Sequence, residues 1–584
     1  MEAFLFAATT RLEGKSGTSV ERAGESIDRA EEISLRGAKN SYLSFQLGVK
    51  VEGGEAPQVS LHMDNPGCGI EIAIFDEWFH QWEGKLIPDL LIPLDRMDGA
   101  KREKVRGNYY SSPYRVYWID CFLPKELPDG VYGGKAEVTC GSASKTLSFE
   151  LKAEPVTLCS EAILQADFNN YADAISRNDP ALFGNKERYF DGSYLSQERE
   201  FFRLTHEHRA FFHYLPYAHS GFNYLTFAPK LEGSGKTIRV SDWTAFDNHF
   251  GHYLDGSAFE GTARGPIPVP FFYLPFCFDW PSSYEIWGSE GYRTENRRIL
   301  VDFIRHFEDM GWTETVFELF LNHKKRYRFY PYDGDEVRHQ HDEELARIQD
   351  EMFSDLLGQS RVQIVLRTDS SWSFGKHYDS DMNRIFRFWA AGSSLVEFYP
   401  DSFALMRQKG NYLFEYTGVP TLEAPLTSLY KRPARCLMNG AWGILYWNTT
   451  GVGDDYLTCP VAGGSEVFLY PSHLLGLEGG ALPSLRMKYH RNAMQTMDLI
   501  AMFDGTEHFS VLRQAVNDAF GTSDEMWTSP LPASLAVEPQ LMTNDAIGDA
   551  ERNDPGENME PDLPDRLLSQ VLELAKASGL RFPS

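Results

Sequence analysis

Eight short apolar runs recur along the middle of this chain, and several alternate with segments of helical pattern. They are AILQADFN (162–169), AFFHYLPY (210–217), VPFFYLPF (269–276), VFELFLN (316–322), VQIVLR (362–367), SLVEF (394–398), NYLFEY (411–416) and GILYW (443–447). Between them, SQEREFFRLTHEHR reads as a helix, and ENRRILVDFIRHFEDMG puts Ile299, Leu300, Phe303, Ile304 and Phe307 on one helical face, with Gly311 as a C-terminal stop. DEELARIQDEMFSDLLG repeats the pattern with Leu345, Ile348, Met352 and Leu356, ahead of Gly358. Parallel strands need crossover connections, usually helices. Strands alternating with helical segments indicate parallel strand–helix units, and eight such strands are what a (β/α)8 barrel of the TIM type needs.

The flanks read differently. Before the barrel, Ile70, Ile72 and Ile74 alternate with Glu71 and Ala73, and YRVYWIDC and KTLSFEL are further short runs between Gly, Pro and Asp turns. Such spacing predicts a β-sandwich. The expected organisation is multidomain α/β plus β: a sandwich over 1–157, a (β/α)8 barrel over 158–455, a small β-rich and helical cap over 456–520, and an acidic linker with a terminal helix over 521–584. Ser484 is placed to cap a helix in the third of these, and Leu567, Leu568, Val571 and Leu572 form the apolar face of the last helix.

A formal charge of −27 over 584 residues argues against nucleic acid, because phosphate binding needs a cationic footprint that this chain lacks. An anionic membrane surface is disfavoured on the same ground, and no stretch reaches the roughly 18 apolar residues of a membrane span. Seven scattered cysteines without a CxxC make neither a disulfide framework nor a thiolate zinc site. A reducing compartment follows, and the opening MEAFLFAATTRLEG lacks the basic and long apolar regions of a signal peptide, so a cytoplasmic location is expected. No cofactor is implied. Oligomeric state is open, a homo-oligomer being one option.

Barrels of this type carry their chemistry at the C-terminal ends of the strands. YPYDGDEVRHQHDEE (330–344) follows the fourth strand and gathers Asp333, Asp335, Glu336, His339 and His341. Two close carboxyl groups do not both ionise freely, and the one pushed up in pKa can hold a proton near neutral pH. Asp335 and Glu336 are therefore the candidate catalytic pair. The same acids could instead charge the start of the next helix, where they suit its dipole. Asp335 with His339 and His341 is an alternative, metal-assisted arrangement, although the spacing matches no ligand motif. Other strand ends supply Asn169, Asn170, His219, Trp372, Glu415, Tyr416, Trp447 and Asn448, and a long connection supplies Asp247 and His249. Of these, His219, Asp247, His249, Trp372, Glu415, Tyr416 and Trp447, together with Tyr332, are the candidate substrate-binding residues. Flat rings among them suit the face of a sugar.

Trp447-Asn448-Thr449, Tyr470-Pro471-Ser472, and the helix beginning Ser484-Leu485-Arg486 resemble the domain of unknown function family 4091, as do Asn40 with Ser44-Phe45-Gln46-Leu47, and Asp335-Glu336-Val337. That family is similar to glycoside hydrolase family 123, the β-N-acetylgalactosaminidases. Val337 and Ser472 replace a proline and a glycine of the family pattern. The resemblance implies a sandwich, a barrel and a small cap. It further implies a glycosidase acting on a β-linked hexoside, a 2-acetamido sugar such as GalNAc, by a retaining, substrate-assisted route. Glu336 would be the acid/base, and Asp335 would orient the acetamido group. A non-catalytic carbohydrate-binding protein on the same scaffold is the other expectation.

Overall fold

A computed structural model of the protein describes residues 1–51, 56–96, 98, 112–175, 192–216, 227–277, 280–282, 288–321, 343–370, 382–393, 407, 410–450, 467–477, 480–523 and 562–578. The N-terminal part is two facing sheets. One is antiparallel, in the order Glu2–Ala7, Ser41–Lys50, Tyr114–Leu123, Glu71–Trp82, Lys85–Pro93; the other runs Glu32–Lys39, Ala143–Thr157, Gly130–Cys140, Gln58–Met63. Alternate residues such as Phe45, Leu47, Ala136, Val138, Phe149 and Leu151 fill the space between them.

The barrel strands are β1 (Gln165–Asn170), β2 (Phe211–Tyr214), β3 (Phe271–Tyr273), β4 (Val316–Leu319), β5 (Gln363–Ser370), β6 (Phe388–Gly392), β7 (Tyr412–Gly418) and β8 (Gly443–Trp447). They form one parallel sheet in the order β2-β1-β8-β7-β6-β5-β4-β3. β2 and β3 complete the ring by side-chain packing, with Phe211 and Phe271 at 5.8 Å and His213 stacked on Tyr273 at 3.8 Å between ring centres. The barrel is thus nearly closed, with one seam that lacks ladder hydrogen bonds. Gly443 lets β8 approach β1; a Cβ there would meet the Gln165 carbonyl oxygen at 2.2 Å.

Seven strands fall on the expected runs. The sixth does not: it is FWAAG (388–392), while 394–398 lies outside the described residues. FWAAG is buried on both sides of the sheet and three of its five residues are alanine or glycine, so neither alternation nor bulk marks it. Around the ring pack α1 (Gly192–Glu207), α2 (Thr244–Leu254), α3 (Glu290–Met310), α4 (Glu343–Phe353) and α5 (Thr427–Asn439). Ile299, Leu300, Phe303 and Phe307 of α3 are fully buried, and Gly311 ends the helix at φ 75°.

Beyond β8 come a hairpin (Leu469–Pro471 with Ala481–Pro483) and the helices α6 (Leu485–Ala501), α7 (Phe509–Phe520) and α8 (Leu563–Ser578). Ser484 caps α6 by accepting from the Met487 amide at 3.0 Å. Every residue of α6 except Asn492 is buried, charged ones included. Arg486 forms two hydrogen bonds to Asp89 of the sandwich, Nε to Oδ1 at 2.9 Å and Nη2 to Oδ2 at 2.8 Å. Arg491 does the same to Asp120, at 2.9 and 2.7 Å, with Lys488 adding a third contact at 2.7 Å. Asp498 faces the barrel, accepting the amides of Ile163 and Leu164 and the Arg209 guanidinium. The family-like Ser-Leu-Arg element is therefore a structural strut.

Removing one partner of such a pair leaves a bare buried charge. Arg486→Met should lower the unfolding free energy by roughly 3–5 kcal/mol. Adding Asp89→Leu should recover part of that loss. Urea unfolding of the wild type, the single variant and the double variant measures both steps.

Candidate active site

Side chains on a strand alternate faces, so every second residue of each barrel strand enters the lumen. The lowest tier is apolar: Phe211, Phe271, Val316, Phe414 and Leu445. Above it the lumen turns polar, with Asp167 from β1, His213 from β2, Tyr273 from β3, Glu318 from β4 and Arg367 from β5, all buried. Nearest the C-terminal ends lie Asn169, Phe320, Asp369, Tyr416 and Trp447, and of these Asp369, Tyr416 and Trp447 are partly exposed.

Arg367 organises the polar tier. Its Nη1 donates to Glu318 Oε2 at 2.7 Å and lies 3.8 Å from Asp167 Oδ2, while Nε donates to Asp369 Oδ1 at 2.9 Å. Its guanidinium sits between the rings of Tyr273 and Phe388, at 4.7 and 4.6 Å from their centres. His213 Nδ1 is 3.1 Å from Asp167 Oδ2, and Asn169 donates to the Tyr273 hydroxyl at 2.7 Å. Three carboxyl groups thus surround one guanidinium. Burial pushes Asp167 up to about 8, against the pull of Arg367, and pushes His213 down to about 3. The pair therefore shares a single proton at neutral pH and carries no net charge. Burial raises Glu318 as well. Asp167 Oδ1, His213 Nε2, Glu318 Oε1 and Arg367 Nη2 find no hydrogen-bond partner among the described residues. Four such atoms in one tier are what ordered water or a polar ligand would satisfy.

The expected site residues divide into three groups. Tyr416 and Trp447 face the mouth, and Trp447 packs edge-on against Tyr171 at 5.9 Å. The turn Asn448-Thr449-Thr450 holds it there: Asn448 donates to the Asn169 carbonyl at 2.7 Å, and Asn170 binds Thr449 and Thr450. Asp335, Glu336, Tyr332, His219 and Trp372 lie outside the described residues, as do His339 and His341. The chain passes Leu321 just after β4, at the mouth end, and returns at Glu343, the start of α4.

Three expected residues are engaged away from the mouth. Glu415 lies mid-strand, because β7 runs on to Gly418, and its parity turns it outward from the lumen; there Arg435 binds it, Nε to Oε2 at 3.0 Å. Burial would raise its pKa, but the guanidinium overcomes this and holds it below the usual carboxylate range. His249 is on α2, behind the barrel wall, 3.1 Å from Glu198 and stacked on Phe227 at 3.5 Å. Asp247 is on the outer side of the same helix, 2.7 Å from His306 of α3. None of the three reaches the mouth.

The polar tier itself was not among the sequence candidates. Its signal is a polar residue at every second place within an otherwise apolar strand: Gln165, Asp167 and Asn169 in QADFN, Glu318 in VFELF, Arg367 and Asp369 in VLRTD. Among the described residues, no group of three or more His, Cys, Asp or Glu is arranged to hold a metal ion. No helix among them is long and apolar enough to cross a membrane.

No family model and no curated protein matches the chain in sequence. Solved structures match it in fold. A family 123 glycoside hydrolase from Clostridium perfringens superposes on 99% of this chain and 100% of its own, at a TM-score of 0.62 and 12% identity. The chain therefore has the fold of that family 123 enzyme. A Bacteroidetes-affiliated GH5 cellulase (10% identity, 64% of this chain and 97% of that one, TM-score 0.34) superposes too loosely to carry an argument. So does Parabacteroides merdae β-glucuronidase (10% identity, 79% and 51%, TM-score 0.28).

The shared proton has a measurable consequence. Folded Asp167 and His213 titrate near 8 and 3, against ordinary values of 3.8 and 6.5. Between about pH 4 and 6.5 the pair holds one proton whether folded or unfolded, so its contribution to stability is flat. From about 6.5 to 8 the unfolded chain has lost that proton and the folded chain has not. Stability should fall as pH rises through this window, by on the order of 1–2 kcal/mol. Asp167→Asn should flatten that stretch of the curve in urea unfolding at closely spaced pH values; an unchanged slope would remove Asp167 as its source.

Proposed function

We propose that the protein is a glycoside hydrolase cleaving a β-linked hexoside, with a 2-acetamido sugar such as GalNAc as the favoured substrate. The observation that carries this reading is the fold shared along its whole length with a family 123 glycoside hydrolase. The mouth supports it: a partly exposed Trp447 and Tyr416 stand above a tier rich in carboxyl groups and hydrogen-bonding atoms. A sugar ring offers an apolar face to an indole and hydroxyls to polar partners, so such a layering suits it.

In the proposed reaction the substrate's acetamido oxygen attacks C1 while Glu336 protonates the leaving oxygen. Asp335 holds the acetamido N–H, and Glu336 then activates water to open the cyclised intermediate with overall retention. The residue pair rides on the connection from β4 to α4, whose two ends bracket the mouth side of the barrel. The Arg367 network would keep the lumen floor rigid and would set the local charge.

A panel of chromogenic β-hexosides with and without the 2-acetamido group tests the substrate, and the acetamido members should be the ones hydrolysed. Glu336→Gln should cut kcat by about 10²–10⁴-fold on such a substrate while leaving sugar affinity nearly unchanged. A thiazoline mimic of the cyclised intermediate should inhibit strongly. Retained hydrolysis without thiazoline inhibition would rule out the substrate-assisted route. Sugar binding without any turnover would favour a carbohydrate-binding role.

A further inference from the structure

The barrel has a second cavity, at the end opposite the mouth. There the segments entering β1 to β5 surround a volume of about 440 Å³. Its wall includes Gln165 and Gln363 at the starts of β1 and β5, Thr313 ahead of β4, and two arginines, Arg209 and Arg264.

The arginines are not equivalent. Arg209 is matched to the Asp498 carboxylate, Nε to Oδ2 at 2.7 Å. Arg264 spends Nε on the Ser160 carbonyl at 2.8 Å and Nη1 on the His206 carbonyl at 2.7 Å. It forms no ion pair among the described residues. Glu161 and Glu314 also line the cavity, but both are exposed. Arg264 is partly buried, and a guanidinium drawn out of bulk water is normally paired. The local field agrees. Burial and the nearby Arg209 bring Arg264 down to about 9. Burial, with the charges of Arg264, Arg203 and Arg209, also brings His206 down to about 2. Arg264 thus presents a guanidinium without an ion pair to the cavity, with Glu161 and Glu314 at its exposed edge.

We propose that this cavity is an anion site that takes a small carboxylate- or phosphate-bearing molecule, its oxyanion accepting from the free Nη2 of Arg264. Thr313 and the amide of Gln363 supply further donors; the Gln363 carbonyl is already engaged by the Tyr412 hydroxyl at 2.9 Å. Arg264 suits this task because its planar donors match an oxyanion and it stays charged at any physiological pH. The site stands apart from the sugar chemistry proposed for the mouth and does not depend on it.

The test is calorimetric titration of the full chain with sodium phosphate and, separately, sodium malonate, at ionic strength held constant with chloride. Saturable binding of at least one of the two is expected, weakened about tenfold or more by Arg264→Gln, which is about 1.4 kcal/mol. Arg264→Gln also removes two hydrogen bonds to the backbone. Thr313→Glu therefore serves as a second variant that keeps Arg264 and adds a repelling charge to the wall. It too should weaken binding, with a native circular dichroism spectrum. Phosphate binding alone assigns a phosphate-bearing ligand, and malonate binding alone a carboxylate. Absence of saturable binding of either ion to the folded wild type overturns the proposal, as does equal affinity in wild type and Thr313→Glu.

Discussion

Helix α6 fixes the relation between the sandwich and the barrel by burying its own charges. Arg486 and Arg491 reach into the sandwich, and Asp498 reaches the start of β1 and the turn before β2. Each of these groups would be expensive to bury alone, and each is met by a partner from a different part of the chain. A hydrophobic helix could hold the two bodies together just as firmly, but it would slide more readily. Paired charges at both ends of α6 admit one register. Arg486 also binds the Val467 carbonyl at 2.9 Å, and Val467 pairs with Thr450. Thr450 is bound to Asn170 at the end of β1, and the same turn carries Trp447. The indole at the mouth is therefore positioned by a salt bridge made with the sandwich, which couples the mouth of the barrel to that domain.

Within the lumen the balance runs the other way. Three carboxyl groups share one arginine, and the surplus is resolved by keeping protons. The Asp167–His213 pair loses its net charge by holding one proton between two groups that ordinarily titrate almost three units apart. Stacking Arg367 between Tyr273 and Phe388 leaves it little freedom to turn toward another carboxylate. The floor is thus stiff and close to neutral, and it would hold a hydroxylated ligand by hydrogen bonds rather than by charge.

The fold was largely legible because its signal is periodic and long. Seven of the eight barrel strands carry bulky apolar runs, and the helix stops at Gly311 where the sequence says it should. The sixth strand leaves no such signal because Ala390, Ala391 and Gly392 lack bulk. The site was harder to read. The apolar run stops at Tyr416, which puts Glu415 at a strand end in the sequence, whereas β7 continues through Thr417 and Gly418. Its parity relative to Phe414 and Tyr416 already pointed it away from the lumen. Asp167, Glu318 and Arg367 are hard to read for the opposite reason: they sit inside apolar strands, where a charge reads as an exception. In a barrel such an exception at an inward position is the informative residue, since only a partner across the lumen can satisfy it.

The two ends of the lumen are linked through β1. Gln165 lines the lower cavity, Asp167 belongs to the polar tier and Asn169 faces the mouth, each about 7 Å from the next along the strand. Asp498 holds one end of that strand and the Thr449-Thr450 turn holds the other, so it behaves as a fixed rod. A charge change at one end then acts on the other through the field rather than through movement. Neutralising Arg264 with an anion would remove a positive charge from the end of the lumen below Asp167, and the low-dielectric interior between them screens that change only weakly. The sign is definite: with less positive charge below, Asp167 keeps its proton to higher pH, and the floor of the mouth stays neutral over a wider range.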